Sequence, residues 1–437
     1  MSRRDFALEN GLHVIVREDL PWHLGISKRH RDGLTLDRHG SRIVERCNEG
    51  ANSRNARTVT CLDGNAQVVR ELHSQPLLRS RRVRRSRRVS RSRHTHPLSI
   101  ALSIGYIGTP AVRAAIVQQF GPPQNVTVCE LPTPVVRAGE VVVQVQAAGV
   151  NYADLLMVAG KYQVKPPLPF VPGLELCGVI VAVGPGVTQW RPGDRIMGAP
   201  IKAGCFAEQV AVPADQIFSA PQSLTTELAA QFIVAHGTAG FAFERGGLRA
   251  RETVLVGGAG GGVGIAAVAV ARRLGARVIA AAGAPERLRL ARAHGAHETI
   301  DYRTEDLREA VQRMTDGRGV DVVLDPVGGQ FFEAALRCTA RRGRVLVVGF
   351  ASGSIPRIPA EYLLLKNISV IGIGFGGVLM TEPAEARHVI ENMLALHAAE
   401  PFTPQVDGRF SLEEVPVALQ RLADRLVTGK QIVLPRN

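Results

Sequence analysis

The chain has 437 residues, 45% of them hydrophobic, which is enough for two or three domains with buried cores. Its formal net charge of +14 would point to an anionic partner, but residues 1–110 carry 21 Lys and Arg against 10 Asp and Glu, so most of the excess sits in the first quarter. Six cysteines without a Cys-x-x-Cys pair give neither a disulfide framework nor a zinc-ribbon spacing, and fit a reducing, cytoplasmic setting.

In chain order, Met1-Ser-Arg-Arg-Asp-Phe leads into mixed charge rather than an apolar stretch, so no signal peptide is expected. The apolar run 97–112 is too short to span a bilayer and is broken by Pro97, Gly105, Gly108 and Pro110. Residues 79–93 are Arg-rich, self-repelling and free of interleaved aromatics. They are expected to be disordered, with a phosphate-gripping arm for nucleic acid as the sharper but less favoured reading. Residues 1–110 are therefore predicted to be a basic, disordered extension. The globular pattern starts abruptly near Val112, and no methionine falls between Met1 and Met157. A valine-type initiator at Val112 would leave the extension outside the natural product.

Residues 112–237 show short β-type runs at 114–118, 140–146, 178–183 and 206–212, and so form a β-leaning domain. From residue 238 to 374 strands and helices alternate. Strands are expected at 253–256, 277–281, 321–325, 344–348 and 368–373, with helices to 275 and at 285–295 and 331–339. That alternation predicts a doubly wound parallel sheet. Residues 375–437 carry helical patterns at 385–396 and 412–426 and end in a strand, 431–434, that could return to the first domain.

Thr253-Val-Leu-Val-Gly-Gly-Ala-Gly-Gly-Gly-Val-Gly264 is the most informative segment. An apolar strand stops at glycines and restarts as a helix, so a diphosphate can approach the free N–H groups of the helix N-terminus where side chains are absent. It reads as a dinucleotide pyrophosphate site.

Further stretches extend this reading: Ala148-Gly-Val-Asn-Tyr-Ala-Asp154, Gly160-Lys-Tyr162, Pro169-Phe-Val-Pro-Gly-Leu-Glu175, Gly193-Asp-Arg195, Gly237-Thr-Ala239 and Asp325-Pro-Val-Gly-Gly329. Together they resemble the medium-chain dehydrogenase/reductase superfamily, and within it the zinc-free quinone oxidoreductase (zeta-crystallin-like) branch. The resemblance covers residues 112–437. It implies an α/β protein with a GroES-like β-rich catalytic domain and a Rossmann domain, NADPH and substrate between them, and a homodimer formed through the Rossmann sheet edge near residues 367–372.

Zinc is not expected. Where zinc relatives have a ligand cysteine and histidine, this chain has Asn151 and Leu174, which supply neither thiolate nor imidazole. His236, His294 and His297 read as solvated or turn residues.

The second strand, 278–282, ends in small residues without the Asp or Glu that would hold the ribose hydroxyls of NAD. Gly283, Arg287 and Tyr302 match positions that in this branch contact a 2′-phosphate, with Glu286 the dissenting neighbour. Ala259, Gly261, Gly262 and Val263 would form the diphosphate cradle. Thr238, Gly349, Phe350 and Asn151 match positions near the nicotinamide end, and Gly429-Lys430 resembles an ending that closes over the cofactor.

Hydride transfer needs a positioned acceptor, excluded water and stabilisation of developing negative charge. Asn151 is the polar candidate beside that point. Tyr152 and Tyr162 are candidates to donate O–H groups or to pack, and Asp154 is expected to tie down its loop. Leu156 and Val158 replace a frequent tyrosine and arginine, which predicts a more apolar pocket. The expected activity is NADPH-dependent reduction of a quinone or similar conjugated carbonyl. An alkenal or enoyl double-bond reductase is the enzymatic rival, and a low-turnover NADPH-binding protein with an RNA-binding or structural role is the alternative of a different class.

Overall fold

The computed structural model describes residues 111–436 except Ile201 and Ala203, and ahead of them only backbone strands between Arg3 and Gln67. Contacts divide the chain into two units, residues 1–101 and 102–437. In the first, strands Arg3–Leu8, Leu12–Arg17, Leu24–Lys28, Gly33–Leu36 and Ile43–Val44 form an antiparallel sheet in chain order, and Thr60–Leu62 pairs with Asn65–Gln67. The Arg-rich tract 79–93, with its expected disorder and nucleic-acid arm, lies outside the described residues.

The second unit opens with a hairpin, β1 (Ala111–Val117) and β2 (Val126–Pro132). The long strand β3 (Glu140–Val150) follows and leads into helix α1 (Tyr152–Val158). Strands β4 (Leu176–Val183), β5 (Arg195–Gly198), β6 (Gln209–Pro213) and β7 (Ile217–Ser219) complete the β-rich part. Its sheet runs β7-β5-β4-β3, with β6 also paired to β3. Alternating Val141, Val143 and Val145 enter the core with Ile180, Ile196 and Phe206, as the two-residue side-chain period of a strand requires.

After helix α2 (Thr226–Ala229) and a π-helical turn, Ile233–Gly237, helix α3 (Thr238–Arg245) leads into the parallel sheet. Strands β8 (Thr253–Val256), β9 (Arg277–Ala282), β10 (Glu298–Asp301), β11 (Val320–Asp325), β12 (Thr339–Val347) and β13 (Ser369–Gly372) lie in the order β10-β9-β8-β11-β12-β13. All five pairings are parallel. This is the dinucleotide-fold strand order 3-2-1-4-5-6, and its ligand crevice falls where the order reverses, between β8 and β11. The crossovers are α4 (Gly262–Arg273), α5 (Pro285–Ala293), α6 (Leu307–Met314), α7 (Gly329–Cys338) and α8 (Ala360–Lys366). Strand β10 and helix α6 were absent from the sequence expectation: β10 has only four residues, and α6 is strongly polar on its outer face.

Helices α9 (Phe375–Thr381) and α10 (Pro383–Ala399) follow, then β14 (Val406–Phe410), α11 (Val415–Ala423) and β15 (Lys430–Val433). The last strand pairs antiparallel with β3, placing Val150 opposite Gln431, and parallel with β14. The chain thus re-enters its β-rich sheet after building the parallel one. Among the described residues, no helix is long and apolar enough to cross a membrane.

Candidate cofactor and active site

The glycine turn after β8 sits at the switch point. Gly258 has φ +55°, a left-handed conformation that glycine adopts without strain. A Cβ on Gly264 would collide with the Gly258 carbonyl and lie 2.8 Å from Ala259 Cα, so that glycine lets helix and turn pack closely. A Cβ on Gly261 would meet nothing nearer than the Gly258 carbonyl at 3.5 Å. Gly261 is the N-cap of α4, which has no side-chain cap, so its first N–H groups have no side-chain acceptor there. Ala259 is buried, while Gly261, Gly262 and Val263 are half-buried around this N-terminus. The partial positive charge of such an N-terminus suits an anionic diphosphate.

At the end of β9, a Cβ on Gly283 would lie 3.0 Å from the Tyr302 ring and 3.3 Å from Arg303 Cδ. Tyr302 is 37% exposed and packs edge-on against Phe331 at 6.1 Å. Arg303 pairs with Asp301 at 3.3 Å and holds that carboxyl below its usual range. Gly283, Tyr302 and Arg303 therefore stand together. Arg303 was missed in the sequence, where it lies in a mixed-charge turn that looks merely solvated.

Arg287 lays its side-chain stem over Gly260 and donates from Nη2 to the carbonyls of Arg425 and Val427, the latter at 3.1 Å. Glu286 is exposed and lies 3.3 Å from Arg289, so its carboxylate has a cation on its own helix. Arg425, also missed, reaches the Ser352 carbonyl at 3.3 Å and spans from the α5 side of the crevice to the loop after β12. That loop holds Gly349 and Phe350, both half-buried, with Phe350 against Gly328.

The last strand closes the other side. Gly429 N donates to Gly260 O at 2.8 Å, and the Lys430 stem crosses the face of Gly262. Lys430 is 5% exposed, and its Nζ donates to Asn151 Oδ1 at 2.6 Å and to Glu175 Oε1 at 2.7 Å. Asn151 Nδ2 donates to the same Glu175 oxygen at 2.8 Å and to Gly149 O at 3.3 Å. Glu175 Oε2 accepts from Val234 N at 3.1 Å, at the π-helical turn that precedes Thr238. Asn151 and Lys430 are thus brought together, while Glu175 had been read only as part of a motif.

Asp154 caps α1. Its Oδ2 accepts from Asn151 N at 2.8 Å, its Oδ1 has no partner, and burial raises its pKa to about 7. Tyr152 is half-buried at the start of α1. Tyr162 packs against the β-rich core, and burial, then the Asp154 charge, raises its pKa. Val158 is fully buried in that core, so its replacement of a polar residue serves packing there; Leu156 is half-buried. Asp325 accepts from Val327 N at 2.7 Å and Gly328 N at 2.9 Å, and burial raises it to about 6.

His236 departs from the solvated reading. It is 6% exposed, stacks on Phe232 at 4.8 Å and leaves Nδ1 without a partner, and burial lowers its pKa to about 3. The apolar flanks Ile233-Val and Ala235 signal burial only once the turn is known to be helical. His294 is half-buried, and His297 Nδ1 accepts from Val278 N at 2.9 Å. Among the described residues no three His, Cys, Asp or Glu side chains gather as a metal site would require.

Comparison with known proteins agrees with this architecture. Residues 137–222 match the alcohol dehydrogenase GroES-like domain, and residues 262–396 the family described as zinc-binding dehydrogenase. The chain is 36% identical over 329 residues to a quinone oxidoreductase-like protein 2 homolog of Nematostella vectensis, covering 75% of this chain and 90% of that protein. A probable oxidoreductase from Mycobacterium abscessus superposes with a TM-score of 0.68 at 37% identity, over 75% of this chain and 100% of that one. An Escherichia coli quinone oxidoreductase complexed with NADPH does so with a TM-score of 0.69 at 27% identity, over 74% and 100%. The chain belongs to the zinc-free quinone oxidoreductase-like branch of the medium-chain dehydrogenase/reductase superfamily.

Proposed function

We propose that the protein is an NADPH-dependent oxidoreductase that delivers hydride to a quinone or similar conjugated carbonyl without zinc. One observation carries this reading: α4 starts without a side-chain cap beside a second strand that ends at Ala282, with the next residue, Gly283, against Tyr302 and Arg303 and no carboxylate on the strand end itself. A 2′-phosphate needs that room and a cation, and Arg303 lies next to it. The similarity to an NADPH-complexed quinone oxidoreductase supports the same cofactor.

Bound NADPH would supply the hydride. The chain's own part is to bind and orient. The glycine turn and α4 would hold the diphosphate, Arg287 and Arg425 would flank it, and Thr238, Gly349, Phe350 and Asn151 would line the far end. Asn151 and Leu174 replace zinc ligands, so charge on the acceptor oxygen must be met by hydrogen-bond donors, for which Tyr152 and Tyr162 are the candidates.

A homodimer is the proposed assembly. Strand β13 is an unpaired sheet edge, and Leu364 and Leu365 on the adjoining α8 are 78% and 70% exposed. A cytoplasmic location is supported by the free Cys129, Cys177, Cys205 and Cys338.

The test is NADPH oxidation followed with a panel of ortho- and para-quinones and trans-2-alkenals. Turnover with quinones is expected; turnover with alkenals alone would move the assignment to double-bond reduction.

A further inference from the structure

Glu175 is 1% exposed and lies immediately before β4. Its two oxygens hold three elements: the Asn151 amide at the start of α1, the Lys430 ammonium at the start of β15, and the backbone of the π-helical turn at Val234. The packing around it is equally tight. A Cβ on Gly149 would lie 2.5 Å from Glu175 Oε1 and 2.6 Å from Ala230 O, so glycine is required for the carboxylate to reach this place. π-Helical turns interrupt regular helices at some energetic cost and are frequent at functional sites.

The chemistry of the three side chains fixes one arrangement. A lysine ammonium only donates and an ionised carboxylate only accepts, so an amide lying between them can satisfy both in a single orientation: Oδ1 toward Lys430 and Nδ2 toward Glu175. Glutamine at 175 would have nearly the same shape but could both donate and accept. The glutamine nitrogen would set a donor against either Val234 N or the Asn151 and Lys430 donors, and Lys430 would lose its buried counter-charge.

We propose that Glu175 is a positioning residue: through Asn151 and Lys430 it sets the geometry of the hydride-transfer end of the cleft and fixes the last strand against the glycine turn, without touching cofactor or acceptor. This deepens the NADPH oxidoreductase reading and rests on it.

The experiment compares the full chain with its Glu175→Gln, Glu175→Asp and Lys430→Met variants and the Glu175→Gln/Lys430→Met double variant. For Glu175→Gln, kcat is expected to fall at least about tenfold while the NADPH Kd, from dihydronicotinamide fluorescence, stays within about threefold. Glu175→Asp should recover part of kcat. The double variant should recover the melting temperature lost by Glu175→Gln but not kcat. Without any ligand, hydrogen exchange of segments 149–155 and 233–238 should quicken in Glu175→Gln. If Glu175→Gln does not fold, Lys430→Met and the double variant carry the kinetic comparison. A lowered melting temperature with kcat unchanged would overturn the proposal and leave the functional reading standing. A parent chain that neither binds nor oxidises NADPH would overturn both.

Discussion

Gly429 donates its backbone N–H to the carbonyl of Gly260 across 2.8 Å, joining the last strand of the β-rich sheet to the glycine turn of the parallel sheet. Gly261 and Gly429 also form an isolated parallel bridge. The chain's final segment therefore abuts the glycine turn, and contacts made there bear on both sheets.

The turn's glycines should separate into two classes. Gly264→Ala collides with backbone and is expected to destabilise the fold by about 1–3 kcal/mol. Gly261→Ala has room and an ordinary extended conformation, φ −94°, ψ 169°, so its unfolding free energy should stay within about 1 kcal/mol of the parent. Its methyl group would nevertheless stand at the uncapped helix N-terminus, and NADPH affinity should fall about tenfold or more. Chemical denaturation and fluorescence titration of both variants check this; equal effects on stability would contradict it.

The cations near Gly283 should also divide. Arg303→Ala is expected to reduce the preference for NADPH over NADH about tenfold, because Arg303 stands beside Tyr302 at the strand end. Arg287→Ala should loosen the segment 425–429 that its guanidinium holds and weaken both cofactors. Calorimetric titration with each nucleotide distinguishes a lost preference from a general loss.

Stability should fall in mild acid through His236. Its pKa is lowered in the fold from the ordinary 6.5 to about 3, so its contribution is complete above about pH 6.5 and is lost as pH falls toward 3. At pH 4.5 the loss is about 2–3 kcal/mol. Asp154 and Asp325 are raised to about 7 and about 6 and act with the opposite sign, their contributions being complete in acid and lost as pH rises through those values. The difference between variants isolates the histidine. In His236→Gln, the drop in unfolding free energy from pH 7 to pH 4.5 should shrink by that amount, and an unchanged drop would remove His236 from the acid response.

The unpaired edge of β13 gives a further expectation. Leu364→Glu and Leu365→Glu, at exposed positions of α8, should convert the proposed dimer to monomer with little change in the protomer's melting temperature. Sedimentation at micromolar concentration checks this, and a parent that is already monomeric would contradict the assembly.

The parallel sheet was legible because Thr253–Val256, the glycines and α4 combine a strand period, a turn and a helix period within twenty-odd residues. The site was legible only in part. Asn151 and Lys430 stood out separately, but their contact spans 279 residues and follows from the register that sets Val150 opposite Gln431. Glu175 shows no signal of its own, since it lies among the residues leading into a strand and its partners come from three distant segments. His236 was misread for a related reason: an isolated histidine before a Gly-Thr pair resembles a turn, and the aromatic residues that bury it, Phe232 and Phe402, come from different elements.

Titration of the full chain with NADPH and with NADH, following dihydronicotinamide fluorescence, tests the cofactor site most directly. NADPH is expected to bind at least about tenfold more tightly than NADH, with the difference lost in Arg303→Ala. Equal affinity for the two nucleotides, or tighter binding of NADH, would contradict the reading of Gly283, Tyr302 and Arg303 as the place of a 2′-phosphate.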